Sequence, residues 1–256
     1  MRFAAIIGVL VLLVSPPASA RAAGPFADWA AVVVAGDFHS HSGGTTEAFD
    51  NARRDVSRTL VGLGFERSAI AQFSVRPDRY PSESPGRSDT QAISEALRIK
   101  TASAKAGCLF YISSHGSPDG AVLGKTILRP QLLAAMLDQA CPNRPSIVVV
   151  SACFSGVFIP PLQKSDRLVL TAARSDRASF GCGESDKYPY FDDCFLSAAP
   201  TARDFTALGA GAQACVARRE KETGAEPPSE PQVWIGAALR PMLPLYAFDR
   251  SRPRAP

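Results

Sequence analysis

The chain has 256 residues and carries 28 lysines and arginines against 24 aspartates and glutamates, which gives a formal net charge of +4. A positive charge this small and this dispersed argues against nucleic acid as a partner. The length suits a single α/β domain with a sizeable core, and we find no internal repeat and no second domain.

The first twenty residues have the pattern of a secretory signal peptide. Arg2 precedes an apolar run over residues 3–14, and the small-residue motif Ala-Ser-Ala occupies residues 18–20. This run is too short to span a bilayer, so we expect cleavage after Ala20 and a secreted or periplasmic protein without a stable membrane anchor. The alternative is an uncleaved anchor. No later segment approaches the length of a transmembrane helix.

The first half of the remaining chain alternates predicted strands and helices. Trp29 to Ala35 is apolar throughout, as strands buried on both faces are. Apolar positions at helical spacing predict a helix over residues 46–63. The elements predicted next are a strand at 70–75, a proline-rich surface loop at 76–87, a helix from Ser88 to about Ala104 that begins with a Ser88–Gln91 capping box, and a strand at 108–114.

The second half continues the alternation and ends in a tail. We predict a hairpin at 121–128, a helix at 130–140, a strand at 147–150, an apolar loop at 158–162, a strand at 167–172, a polar loop at 174–189, a helix at 204–222 and a short strand at 232–236. The proline-rich segment 241–256 is expected to be irregular. This order predicts a mostly parallel sheet with helices on both faces, in one domain of residues 21–240.

A cysteine and a histidine follow two of the predicted strands. The strand at 147–150 leads to Cys153, and the strand at 108–114 leads to His115 and Gly116. Only one helix separates these strands, so a right-handed crossover sets them side by side with matching ends at one sheet edge. A cysteine nucleophile needs such a base. The amides of Gly116 and Cys153 predict an oxyanion hole, typically worth about 3 kcal/mol per donor.

Each of these residues also has a simpler interpretation. A lone cysteine after an apolar strand is most often buried and inert, and a lone histidine at a strand end is usually structural. His39 and His41, in the loop after the first strand, raise the separate hypothesis of a metal site. Two histidines two residues apart with no third ligand form a weak metal pattern. We therefore expect solvated loop histidines, with no metal and no cofactor.

Export would permit disulfide bonds between some of the six cysteines. If Cys153 is a working thiol, five remain, so at least one more is free or paired outside the chain. Cys108 and Cys141 are reasonable partners, because one opens a strand and the other closes the helix before the next strand. The other three compete for a second bridge, and Cys215 is alternatively a core residue. The six positions are 108, 141, 153, 182, 194 and 215.

The motifs around His115 and Cys153 resemble those of the legumain-like cysteine peptidases, whose clan also contains caspases and gingipains. The strongest matches are Ser-His-Gly-Ser at 114–117 and Ser-Ala-Cys-Phe-Ser-Gly at 151–156. Further matches lie at 34–36, 49–53 and 170–182. The resemblance covers roughly residues 30–236 and is strongest to the bacterial, secreted branch.

The resemblance implies a caspase-like fold, which is a three-layer sandwich of a mostly parallel sheet between helices. It also implies peptide-bond hydrolysis through a Cys-His dyad. Cys153 matches the nucleophile, His115 matches the residue that handles the proton of the leaving amine, and Gly116 matches the oxyanion donor.

The resemblance also implies where a peptide or protein substrate binds. Ala178, Ser179 and Phe180 match a segment against which the substrate lies as an added strand. Asp193 matches an acidic residue at the floor of the specificity pocket, although a solvated acid beside Asp192 is the alternative.

Two departures from the family concern specificity. Legumains carry an acidic residue two positions before the nucleophile, where this chain has Ser151, which we place among the substrate-binding residues. They also carry an arginine in the loop after the first strand, where this chain has Gly-Gly-Thr-Thr. Cleavage after asparagine or aspartate is therefore a hypothesis only.

The first functional hypothesis is an exported cysteine endopeptidase. One alternative is a non-enzymatic peptide-binding module on the same fold. Another is an enzyme that transfers acyl groups to amines, as the glycosylphosphatidylinositol transamidase subunit does. The sequence does not determine the oligomeric state.

Overall fold

The computed structural model describes residues 24–248, so the predicted signal peptide lies outside the described residues. Over this range the chain forms six α-helices and ten strands. The strands are β1 (Trp29–Ala35), β2 (Ile70–Ser74), β3 (Gly86–Arg87), β4 (Gly107–Ser113), β5 (Gly116–Ser117), β6 (Gly120–Leu123), β7 (Thr126–Leu128), β8 (Ser146–Ser151), β9 (Arg167–Thr171) and β10 (Gln232–Ile235). The helices are α1 (Ala48–Gly62), α2 (Thr90–Ser103), α3 (Pro130–Ala140), α4 (Ile159–Leu162), α5 (Tyr190–Ala198) and α6 (Phe205–Thr223).

The central sheet has seven strands in the order β10-β9-β8-β4-β1-β2-β3. All neighbours in it run parallel except the edge strand β10, which is antiparallel to β9. Every residue of β1, β4, β8 and β9 is buried, because helices cover both faces. This explains why successive residues in the middle of these strands are hydrophobic. The predicted mostly parallel sheet is confirmed.

The helices form two layers, one on each face of the sheet. One core includes Val56 of α1, Phe195 of α5 and Leu208 of α6. The other core includes Leu97 of α2 and Leu137 of α3. The predicted three-layer sandwich is therefore confirmed. A separate small sheet of β5, β6 and β7 follows the end of β4.

The structure differs from the prediction at the start of α2. The N-cap of this helix is Asp89, whose carboxylate accepts a hydrogen bond from the Ala92 N–H at 2.8 Å. The Ser88 hydroxyl instead donates to the carbonyl of Ala35 at 2.7 Å. The predicted Ser88–Gln91 capping box is wrong, because Ser88 ties the loop to β1 and leaves the cap to the next residue.

Three further segments are more regular than predicted. The apolar loop at 158–162 contains the short helix α4, and α5 was not predicted at all. The segment expected to be irregular begins with a 3₁₀ helix over Arg240–Tyr246. Tyr246 packs against the core, and Phe248 is buried. The apolar side chains of this tail therefore extend the domain beyond residue 240.

Two disulfide bonds link buried elements of the described part of the chain. Cys108 of β4 is bonded to Cys141 at the end of α3, as predicted. Cys194 of α5 is bonded to Cys215 of α6, which settles the open choice for the second bridge. Cys153 and Cys182 are free thiols. Within residues 24–248, no helix combines the length and the apolar character needed to cross a bilayer.

Candidate active site

Cys153 and His115 follow the ends of two neighbouring parallel strands. Ser113 ends β4 and is paired with Ser151, which ends β8. The ladder continues for one more bond, from the Ser114 N–H to the Ser151 carbonyl at 3.0 Å. His115 and Cys153 each come two residues after this pair. Because neighbouring strands lie about 4.8 Å apart, the two residues leave the sheet side by side at one edge.

Gly116 brings the two motifs into direct contact. A Cβ at this position would overlap the carbonyl oxygen of Cys153 and would lie 2.9 Å from the Cβ of Ala152. Real Cβ atoms essentially never come this close to other heavy atoms. The sequence suggested Gly116 as an oxyanion donor. The structure adds that glycine is needed to let the backbone of Cys153 approach.

The orientation of the His115 ring is set by a backbone carbonyl. Its Nε2 lies 2.9 Å from the carbonyl oxygen of His39. A carbonyl only accepts, so Nε2 must carry a hydrogen, and in the neutral tautomer the lone pair is on Nδ1. The ring also packs edge-on against Phe49 of α1, with centroids 5.1 Å apart. In the neutral imidazole this arrangement leaves Nδ1 as the nitrogen that can act as a base.

Asp37 fixes the loop that carries this carbonyl. Its Oδ1 accepts hydrogen bonds from the N–H groups of Phe38 at 2.6 Å and His39 at 3.1 Å. The same oxygen lies 2.7 Å from Nδ1 of the His39 ring. Nothing in residues 24–248 forms a cluster of three or more metal-ligating side chains. The contact of the His39 ring with Asp37 gives His39 a role in the geometry of this loop.

The backbone turns sharply directly after Cys153. Phe154 has φ of 56°, in the left-handed region that non-glycine residues seldom adopt. Its N–H donates to the carbonyl of Arg177 at 2.7 Å, which holds the turn in place. Such strain costs roughly 1–2 kcal/mol and is often found at functional sites. The turn leaves Cys153 half-buried at the tip of the loop.

The segment that contains Ala178, Ser179 and Phe180 lies beside Cys153. The Ser179 N–H donates to the Cys153 Sγ at 3.2 Å, and that thiol is 3.4 Å from the Ser179 carbonyl oxygen. The segment belongs to no strand or helix and is half-buried. Its far end is held by the Tyr190 N–H, which donates to the Phe180 carbonyl at 2.9 Å. The structure thus brings these three predicted residues next to the candidate nucleophile.

A buried carboxylate lies beneath the two strand ends. Asp192 of α5 is fully buried and accepts hydrogen bonds from the hydroxyls of Ser151 at 2.6 Å and Ser113 at 3.0 Å. The hydroxyl of Tyr111 donates to its other oxygen. Burial raises the pKa of Asp192 to about 6, although the three hydroxyl donors favour the charged form. Ser151 thus has a buried hydroxyl occupied by Asp192, and its contact with substrate stays a prediction.

Asp193 points away from this network. Its carboxylate is 38% exposed and pairs with Arg219 of α6, whose guanidinium lies over the Tyr190 ring at 4.1 Å. The two adjacent aspartates of α5 therefore have different surroundings. Neither contact tests whether Asp193 forms the floor of a specificity pocket, so that role also stays a prediction.

The second free thiol has an unfavourable setting for reactivity. Cys182 is three residues beyond Ser179. Burial, with smaller contributions from the nearby Cys153 and Asp186, raises the pKa of its thiol to about 11. Because the thiolate is the reactive form, Cys182 is a poor nucleophile at neutral pH.

Comparisons with known proteins agree with this fold. The crystal structure of caspase-1 from Spodoptera frugiperda superposes with a TM-score of 0.60 and 15% sequence identity, over 89% of this chain and 94% of that one. This likeness defines the class as caspase-like in fold.

The sequence itself matches a narrower group. Residues 89–211, which include His115, Cys153 and Asp192, match the model of the Peptidase C13 family, the legumain family. Together with the fold, this match indicates a cysteine peptidase that is similar to the legumains, and that family implies peptide or protein substrates. No curated protein that was compared matches the chain.

Proposed function

We propose that the protein is an exported endopeptidase that hydrolyses peptide bonds with Cys153 as nucleophile and His115 as acid and base. The observation that carries the proposal is the register of β4 and β8. It pairs Ser113 with Ser151, and each candidate catalytic residue is two residues further along its strand. The contact between Gly116 and the Cys153 backbone supports the same arrangement.

The hydrogen-bond partners suggest the direction of proton transfer. With Nε2–H donated to the His39 carbonyl, Nδ1 of His115 takes the thiol proton as Cys153 attacks the scissile carbonyl. The negative charge that develops on that carbonyl oxygen is stabilised by the N–H groups of Gly116 and Cys153. The protonated His115 then gives its proton to the leaving amine. A water molecule hydrolyses the resulting thioester and regenerates the thiol.

A substrate would bind along the segment that contains Ala178, Ser179 and Phe180, as an added strand. Backbone hydrogen bonds give affinity in this mode, and side-chain pockets give specificity. The Cys153 thiol now donates to the Ser179 carbonyl. When a substrate strand binds, a substrate N–H would donate to the Ser179 carbonyl in place of the thiol. The thiol would then be free to react with the substrate.

The preference of the first pocket is proposed to be for asparagine or aspartate, with Ser151 and Asp193 among the residues that contribute. Support comes from the similarity to the legumain family, in which Asp193 matches an acidic residue of the specificity pocket; Ser151 stands where that family carries another acidic residue. The proposal of export is supported by the apolar segment before Ala20 and by two disulfide bonds, which persist in oxidising compartments.

The direct test of this function is incubation of the purified protein with a mixed peptide library, followed by mass spectrometry of the products. We expect cleavage of internal peptide bonds, with asparagine or aspartate enriched at the new carboxyl termini. A parallel reaction contains glycinamide as an amine acceptor. Hydrolysis predicts products with free carboxyl termini in both reactions.

The other hypotheses give different products in the same experiment. An acyl-transferring enzyme would join glycinamide to the new termini. A peptide-binding module would retain peptides saturably without cleaving any of them. Either result would contradict the proposed hydrolase.

A further inference from the structure

The geometry points to Asp192 as a positioning residue that holds the two catalytic strand ends in register. This inference rests on the proposed roles of Cys153 and His115. The side chain of Asp192 is hydrogen-bonded to neither of these residues. It acts through Ser113 and Ser151, the last residues of the strands that lead to them.

One carboxylate joins three hydroxyls on two strands. Tyr111 and Ser113 are two residues apart on β4, so both side chains point to the same face of the sheet. Ser151 is the register partner of Ser113 on β8 and faces the same side. The carboxylate of Asp192 comes from α5 and bridges the two serines. A shift of either strand end would break one of these bonds.

Holding a charge at this position is unfavourable for the fold. Asp192 is fully buried, and no cation within residues 24–248 contacts its carboxylate. A buried carboxylic acid without a cation is more stable when it is neutral, which is why its pKa is raised. An amide side chain would fill the same space without a charge and would keep an acceptor oxygen for the hydroxyls. A group that costs stability in its charged form is a candidate for a functional role.

None of the described titratable groups around Asp192 supplies a positive charge to its carboxylate. Tyr111 is the only described titratable group that contacts the carboxylate, and its own pKa is raised well above the usual value by burial and by Asp192. On α5, Asp193 is paired with Arg219 of α6. On α1, which packs against α5, Asp50 is paired with Arg53. The protonation state of Asp192 is therefore controlled by the pH, by burial and by the three hydroxyl donors.

The test compares Asp192→Asn with the wild-type protein by peptide cleavage and thermal unfolding between pH 4.5 and 8. Asparagine keeps the shape and one acceptor oxygen but removes the charge. We expect kcat above pH 7 to fall by about 10- to 100-fold, because small displacements of reacting groups cost this much. The ratio of wild-type to variant kcat should fall towards one as the pH drops through about 6, where the wild-type carboxyl becomes neutral.

The melting temperature supplies a readout that separates positioning from structural damage. The pKa of Asp192 is raised in the folded protein, so its charged form lowers the free energy of unfolding of the wild type above pH 6. This loss of stability disappears as the pH falls and the carboxyl is protonated. The asparagine variant lacks the cost, so it should melt no lower than the wild type at pH 8. The control is Asp50→Asn. Asp50 is also a buried carboxylate on this face, but it is bound to Arg53 and to Ser74 at the end of β2. This variant should lose stability and keep kcat.

The inference is overturned if Asp192→Asn keeps the wild-type kcat at pH 8. It is also overturned if the ratio of wild-type to variant kcat does not change with pH. Failure of the proposed function would give a different result. In that case Cys153→Ala would still cleave peptides, independently of the residue at position 192.

Discussion

Replacing Cys153 by alanine lowers peptide cleavage by roughly 10⁴-fold or more and leaves the fold intact. Loss of a nucleophile has effects of this size, because the remaining groups of the site act only together with it. The side chain is half-buried, and among the described residues it is hydrogen-bonded only to Ser179. The melting temperature should therefore change little. The measurement is kcat/KM on a cleaved library peptide, together with a thermal unfolding curve.

The matched control for this substitution is Cys182→Ala, which removes the other free thiol. Burial keeps that thiol protonated at neutral pH, so we expect the variant to retain wild-type activity. Cleavage at the wild-type rate by Cys153→Ala would contradict the assignment of the nucleophile. If Cys182→Ala lost cleavage and Cys153→Ala did not, the nucleophile would be Cys182.

Replacing Gly116 by alanine lowers kcat/KM by about 100-fold or more, although no reacting side chain is removed. The new Cβ would overlap the carbonyl oxygen of Cys153, which is a backbone atom and cannot rotate away. The loop that carries the nucleophile must therefore move relative to His115. The measurement is kcat/KM well below the melting temperature of the variant, so that unfolding does not contribute.

The control for this prediction is Gly62→Ala at the end of α1. A Cβ at that position meets no other atom within 4 Å. Alanine also favours the helix by up to about 1 kcal/mol, so this variant should keep full activity and melt no lower than the wild type. If Gly116→Ala retains the wild-type kcat/KM, the two motifs do not need this close contact.

The central strands were predictable because their sequence pattern has a single physical cause. Runs such as Val148 to Val150 are apolar at every position and β-branched, as a strand covered on both faces requires. The crossover rule then places β4 beside β8. Helix α5 was harder to predict, because it is short and has two adjacent aspartates near its start.

Helical periodicity distinguishes those two aspartates once α5 is recognised. Phe191 and Phe195 lie four residues apart and define the buried stripe, which also includes Asp192. Asp193 falls on the opposite side of the helix. The sequence match alone drew attention to Asp193, whereas the spacing of the phenylalanines would have identified Asp192 as the buried acid.

The partner of the His115 ring could not be predicted from the sequence. It is the backbone carbonyl of His39, and every residue has such a carbonyl. Only the fold of the loop decides which carbonyl reaches the ring. The sequence signal in this loop was the pair His39 and His41, which suggested a metal site. In the structure, the His39 ring contacts Asp37, and the backbone carbonyl of His39 orients the ring of His115.

The most direct test of the Cys153–His115 pair is the rate at which iodoacetamide modifies each free cysteine at pH 7, followed by mass spectrometry. This measurement needs no peptide substrate. We predict that Cys153 is modified much faster than Cys182, and that His115→Ala slows the modification of Cys153 at least tenfold because the thiol loses its base. Equal rates at both cysteines, or no effect of His115→Ala, would contradict the dyad.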